Sequence, residues 1–165
     1  MSKVLILVEG QIEETFVKTA LTPHLMGFSV FPTVTIITTR RIPDRKDFKG
    51  GITNYRKVKT DLRPLLNDSS AALVVSPNHI DAHFPSQNGL QQLAQIKAQF
   101  LSPEDINDNV DTAPSKRLRR IYPEYQKRTD GPTIAGKIGL ELIRHECRRF
   151  NEWLTKLESL GGGPT

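Results

Sequence analysis

The chain has 165 residues, of which 37% are hydrophobic and 25% charged, and a formal net charge of +5. That supports one modest core and excludes a disordered chain, and no apolar run approaches the roughly 18 residues of a bilayer crossing. Cys147 is the single cysteine, which excludes an intrachain disulfide framework and a cysteine-based zinc site and makes the cytoplasm the default location.

Val4-Leu5-Ile6-Leu7-Val8 is a short aliphatic run without polar alternation. It predicts a strand covered on both faces, as in a parallel sheet, and too short a run for a signal peptide. The strand delivers Glu9 to the carboxyl edge of the sheet, where open α/β folds place ligands. Gly10 allows a turn, and Glu13 and Glu14 fall in the first turn of the following helix. Two readings of these acids stand side by side. In one they complement the helix dipole. In the other Glu9 and Glu13 converge on a divalent metal through hard oxygen ligands.

Ile12, Phe16, Val17, Ala20, Leu21 and Leu25 recur at helical spacing and form a stripe for covering the sheet. Pro23 predicts a kink or an end near Thr22, and Gly27 breaks the pattern. Val30 to Thr39 reads as a second strand, with Pro32 near its start. Residues 40–51 read as a loop with five basic residues, either solvated or in contact with phosphate. Tyr55, Val58, Leu62, Leu65 and Leu66 mark a second helix, and Ala71 to Val75 a third strand. This alternation predicts an α/β fold with a small parallel or mixed sheet and flanking helices.

From about residue 77 the character becomes mainly helical, within what reads as one domain over 1–165. Leu90, Leu93, Ile96 and Phe100 predict a helix. Ser102-Pro103-Glu104-Asp105 has the capping serine, first-position proline and following acid of a short helix or turn. Pro114 opens another helix, bearing Lys116, Arg117, Arg119 and Arg120 around Leu118 and Ile121. Asp130-Gly131-Pro132 reads as a turn and a fresh start. Leu140, Ile143, Cys147, Phe150, Leu154 and Leu157 predict one long helix or two in line, Cys147 being buried. Gly161-Gly162-Gly163-Pro164 reads as a frayed tail.

Neither a dinucleotide nor a GxxxxGK[ST] phosphate loop is present, which disfavours a nucleotide-binding enzyme. No serine sits in a nucleophile elbow. His79-Ile80-Asp81-Ala82-His83 would place two imidazoles on one helical face, but Pro77 and Pro85 argue for a short segment. In the basic helix, cations are suited to phosphates and Tyr122 and Tyr125 to stacking on bases. The plainer reading docks Leu118 and Ile121 on the core and leaves the cations solvated.

Val8-Glu9-Gly10-Gln11-Ile12-Glu13-Glu14-Thr15-Phe16-Val17, followed by Pro23-His24-Leu25, resembles the opening of the Toprim-like family filed as domain of unknown function 4276. Ser102 to Asp108, Thr112 to Leu118, Asp130-Gly131-Pro132, Ile138-Gly139-Leu140 and the Phe150, Trp153, Leu154 pattern are similar to its C-terminal half. The resemblance implies a compact α/β fold and a bacterial magnesium-dependent nuclease component that works with an ATPase, in settings such as phage defence. It implies Glu9 and Glu13 as metal ligands, with Lys116, Arg117, Arg119 and Arg120 holding DNA or RNA. The chain departs from the family in passing from Val75 straight to Ser76-Pro77-Asn78. The Asp-Tyr-Tyr and His-Glu-Phe-Glu stretches of other members are absent, with Asp81 the nearest substitute for their acids. That implies a smaller sheet with an unpaired edge, suited to a partner or an oligomer, and a weakened metal site. The alternative is a non-catalytic subunit that binds an ATPase through its helical half.

Overall fold

In the computed structural model, residues 1–8, 10–36, 76–106 and 113–162 are described. The expected loop over 40–51, the helix over 55–66 and the strand over 71–75 lie outside them. Strand β1 (Ser2–Val8) and strand β2 (Val30–Ile36) pair in parallel, with Ser2 opposite Val30 and Val8 opposite Ile36. Between them run helix α1 (Gln11–Phe16), a π-helical turn (Val17–Leu21) and helix α2 (Thr22–Met26). The remaining helices are α3 (Pro77–Asp81), α4 (Gly89–Ala98), α5 (Pro114–Ile121), α6 (Lys127–Ile138), α7 (Leu140–Glu146) and α8 (Arg148–Ser159), with a 3-10 turn over Pro103–Asp105. This is the expected α/β fold with a helical C-terminal half. No described helix is long and apolar enough to cross a membrane.

Among the described residues, β1 is covered on one face only. Ile6 and Val8 are buried, whereas Lys3 and Leu5 on the alternate face are exposed, Leu5 by 59%. A short aliphatic run does not distinguish one covered face from two; the period-2 geometry does the sorting, and the described helices pack on the Ile6 and Val8 side.

Helix formation continues through Pro23. The Thr22 N–H donates to the Val17 carbonyl, five residues back, so the wide turn falls just ahead of the proline. Proline carries no N–H and crowds the preceding turn, and a π turn is one way for a helix to accommodate it. The chain then reverses after Met26. Gly27 stays in the right-handed region, and Ser29 takes the positive φ of 58°.

Asp130-Gly131-Pro132 lies inside α6 and is not a turn. Asp130 accepts the Gln126 N–H at 2.7 Å and secures the first turn. Gly131 is buried beside Tyr125 and Ile12, a close approach of α6 to α1, and Ile134, Ala135 and Ile138 continue the buried face. This burial offsets the missing Pro132 donor, a defect of about 3 kcal/mol in a helix interior. Gly139, with φ 79°, separates α6 from α7.

Helices α7 and α8 break at Cys147, whose thiol is buried and pushed up to about 12, by burial first and then by the Glu104 and Glu146 carboxylates. Cys147 offers α8 no side-chain cap. Glu104 supplies it from a distance: its carboxylate accepts the N–H groups of Arg149 at 3.0 Å and Phe150 at 2.9 Å. Ser102 in turn accepts the Glu104 N–H at 3.2 Å. The Ser-Pro-Glu string is thus a clamp on a helix far along the chain.

The start of the glycine tail is packed, not frayed. Ser2 donates its hydroxyl proton to the Leu160 carbonyl at 2.5 Å, and a Cβ on Gly161 would lie 1.6 Å from the Phe28 carbonyl oxygen. Nearby, Glu158 is buried and accepts from His24 Nε2 at 2.6 Å and Arg144 Nη1 at 2.5 Å. Burial pushes the Glu158 carboxyl up, but the bonds from His24 and Arg144 outweigh it and hold the group below its ordinary value.

Removing the remote cap in Glu104→Ala is expected to lower stability by about 1–2 kcal/mol in urea unfolding, with far-UV helicity lost first. Because Glu158 is depressed in the folded state, its contribution is present above the unfolded value and is lost as pH falls through the folded one. Thermal melts from pH 7 to pH 3 should therefore show a shallower acid decline in Glu158→Gln than in the wild type.

Candidate functional site

Val8, fully buried, ends β1 at its carboxyl edge, and Gly10 precedes α1 in extended backbone. What Gly10 provides is space: a Cβ there would lie 3.1 Å from Glu13 Oε2. The two acids of the first turn then part company. Glu14 faces outward and pairs with Lys18 at 2.7 Å, one turn on. Glu13 turns inward and is only 9% exposed. Among the described residues its carboxylate has no recorded hydrogen bond or ion pair. Its place in the first turn favours negative charge, and its carboxylate oxygens are not among the fully buried side-chain atoms that lack a partner. Glu9 lies outside the described residues.

Helix α6 packs its N-terminal half beside this turn. Arg128 reaches across and donates from Nη2 to Gln11 Oε1. Arg128 is a cation at the opening turn that the sequence reading missed. The only signal was the pair Lys127-Arg128 just ahead of Asp130, and it is obscured once Asp130-Gly131-Pro132 is taken for a turn.

The four basic residues of α5 are divided. Pro114 and Leu118 dock the helix. Arg117 is half-buried, its guanidinium 5.5 Å from the centre of the Phe100 ring. Lys116, Arg119 and Arg120 are exposed. Tyr122 and Tyr125 do not offer stacking faces, since they are 1% and 2% exposed. Tyr122 fills the space above Gly89, donates to Asp81 Oδ1 at 3.4 Å and packs beside Phe84. Burial, then the Asp81 carboxylate, pushes its hydroxyl up to about 12. An eight-residue helix with alternating cations leaves the tyrosines after it as its anchors.

The histidine pair is also dispersed. Helix α3 is only five residues long. His79 Nδ1 meets the Ser76 hydroxyl at 2.7 Å, while His83 Nε2 lies 3.7 Å from Asp130. Asp81 is taken up by Tyr122. Among the described residues no three His, Cys, Asp or Glu side chains converge as metal ligands. The recorded contacts of Glu13 and of the basic helix thus belong to different neighbourhoods. Helix α6 packs on α1 and on α3.

Residues 76–158, from α3 to the penultimate residue of α8, match the model of the family described as Domain of unknown function (DUF4276). The chain belongs to this family. No curated protein and no solved structure matches it. The part that carries the DUF4276 match holds the Glu104 clamp, the basic helix and α6. The acids of the opening turn precede it.

Glu13→Gln separates a structural from a functional carboxylate. A side chain kept for ligand binding at a cost in stability is expected to leave the melting temperature in EDTA unchanged or to raise it by a few degrees. A loss above about 1 kcal/mol would assign Glu13 to the fold.

Proposed function

We propose that this DUF4276 protein is Toprim-like and nucleic-acid-associated, with Glu9 and Glu13 holding one magnesium ion and the basic helix holding phosphate. The observation that carries the reading is the Glu13 carboxylate. Its side chain is largely buried and has no recorded partner among the described residues, in the first helical turn past a parallel strand and in space left by a glycine. Magnesium is held by one or two carboxylates, with waters and substrate phosphates completing its shell. One inward acid and a second four residues earlier fit that requirement. When bound, such an ion supplies charge that polarises a phosphoryl oxygen.

The chain's own residues set the rest. The first turn of α1 fixes the direction of Glu13. Lys116, Arg119 and Arg120 point outward as phosphate contacts, and Arg128 adds positive charge beside the opening turn. With the tyrosines buried, the recognition is of backbone charge and not of bases. Two-metal hydrolysis draws on more carboxylates than this. Nucleic-acid binding is therefore expected to exceed cleavage, and the nuclease role implied for the family to depend on an ATPase partner.

The test is fluorescence anisotropy on single- and double-stranded DNA and RNA across a salt series, with cleavage followed in magnesium. Binding should weaken with salt, and replacing Lys116, Arg119 and Arg120 together by alanine should reduce the log–log slope by about 2–3. Magnesium-dependent cleavage, where present, should disappear in Glu9→Ala while binding persists. An unchanged slope would remove the basic helix from the interface, and unchanged cleavage would remove Glu9 from the metal site.

A further inference from the structure

A groove of about 600 Å³ lies between the α1–α2 arm and helices α6 and α7. Its size falls in the range of small-molecule sites. Ala20, Pro132 and Leu140 give it an apolar floor, and at Gly136 an added Cβ would meet nothing within 4 Å.

The polar groups along its sides are nearly all acceptors. Thr15, Thr19 and Thr133 each spend their hydroxyl proton on the carbonyl four residues earlier, at 2.8, 2.8 and 2.9 Å. A hydroxyl has one proton, so these three have only lone pairs left for a ligand. The π turn adds to this. With Thr22 bonded to Val17 and Pro23 carrying no N–H, at least one carbonyl between residues 18 and 20 lacks a helical donor. Nε2 of His24 is committed to Glu158. Glu141 is exposed at the rim, with no ion pair recorded among the described residues. No lysine or arginine lines the groove, although the chain as a whole carries a net charge of +5.

We propose that this groove binds a short aliphatic ammonium ligand, an alkyl chain bearing primary ammonium groups. The alkyl segment lies on Ala20, Pro132 and Leu140. An ammonium has three donors and no acceptor, which the threonine oxygens and the Glu141 carboxylate satisfy. An anion finds no lysine or arginine there. The site is distinct from the opening-turn acids and does not depend on them.

Isothermal titration of the full chain with spermidine tests the assignment, with glutarate as an anionic probe. Saturable binding of spermidine and none of glutarate is expected. Glu141→Gln should weaken it about tenfold by removing the charged acceptor. Gly136→Leu should abolish it by filling the groove, while the fold is kept because leucine is the better helix former; an unchanged circular dichroism melt checks this. Absence of saturable spermidine binding, equal binding of glutarate, or unchanged affinity in either variant would overturn the proposal.

Discussion

The structure depends on the buried carboxylate of Glu158. It takes hydrogen bonds from His24, in the arm that crosses from β1 to β2, and from Arg144, in α7. Arg144 also bonds Asn151 at 2.8 Å and Thr155 at 3.1 Å along α8. One arginine thus braces α7 against α8, and one glutamate fastens that pair to the strand–helix–strand unit. Around this seam the packing is apolar and close: Phe16 lies 6.3 Å from Phe150, and the Gly161 backbone abuts the Phe28 carbonyl. A paired, hydrogen-bonded charge is costly to break on one side only, because the survivor is left buried and alone.

The acids of the chain sort by what satisfies them. Glu104 is spent on two backbone N–H groups, Glu146 on Lys97 at 2.7 Å, Asp81 on Tyr122 and Glu158 on His24 and Arg144. Each has a structural account that needs no ligand. The two buried glutamates, Glu13 and Glu158, are therefore opposites. One is the most heavily bonded carboxylate of the described chain, and the other has no recorded bond. A resemblance at the level of motifs gives both kinds of acid equal weight. The hydrogen-bond geometry separates a fastening from a candidate ligand.

Periodicity made the strands and the main stripes legible. Val4 to Val8, the Ile12-to-Leu25 spacing and the C-terminal run all announce their elements locally, because the apolar face repeats with the period of the element. What was not legible depends on contacts between distant residues. Asp130-Gly131-Pro132 has the local chemistry of a turn, yet burial of Gly131 against α1 makes it helix. Glu104 has the local chemistry of a short cap, yet its carboxylate caps α8, 45 residues on. Tyr122 and Tyr125 carry the composition of a stacking surface, yet their rings anchor α5. Leu5 sits in an unbroken aliphatic run, yet its face is exposed. Arg128 became a neighbour of the opening turn only through the packing of α6 on α1.

Helix α6 packs on the arm after β1 and on α3, whose Asp81 accepts the hydroxyl of Tyr122 just after the basic helix. The inward acid comes from the arm after β1, outside the residues that carry the family match, and the basic helix comes from within them. No contact recorded here joins the two directly. Helix α6 touches α1 through Gly131 and Arg128, and the turn after α3 through the His83–Asp130 pair. These contacts all fall at residues 128–131, so they fix the N-terminal half of the helix axis against both neighbours. Pro132, with its missing donor, is the weakest point along that axis, and the buried faces of Ile134 and Ala135 hold it in place. In the proposed site, the spacing between an opening-turn ligand and a phosphate on α5 would thus be set by packing behind the site.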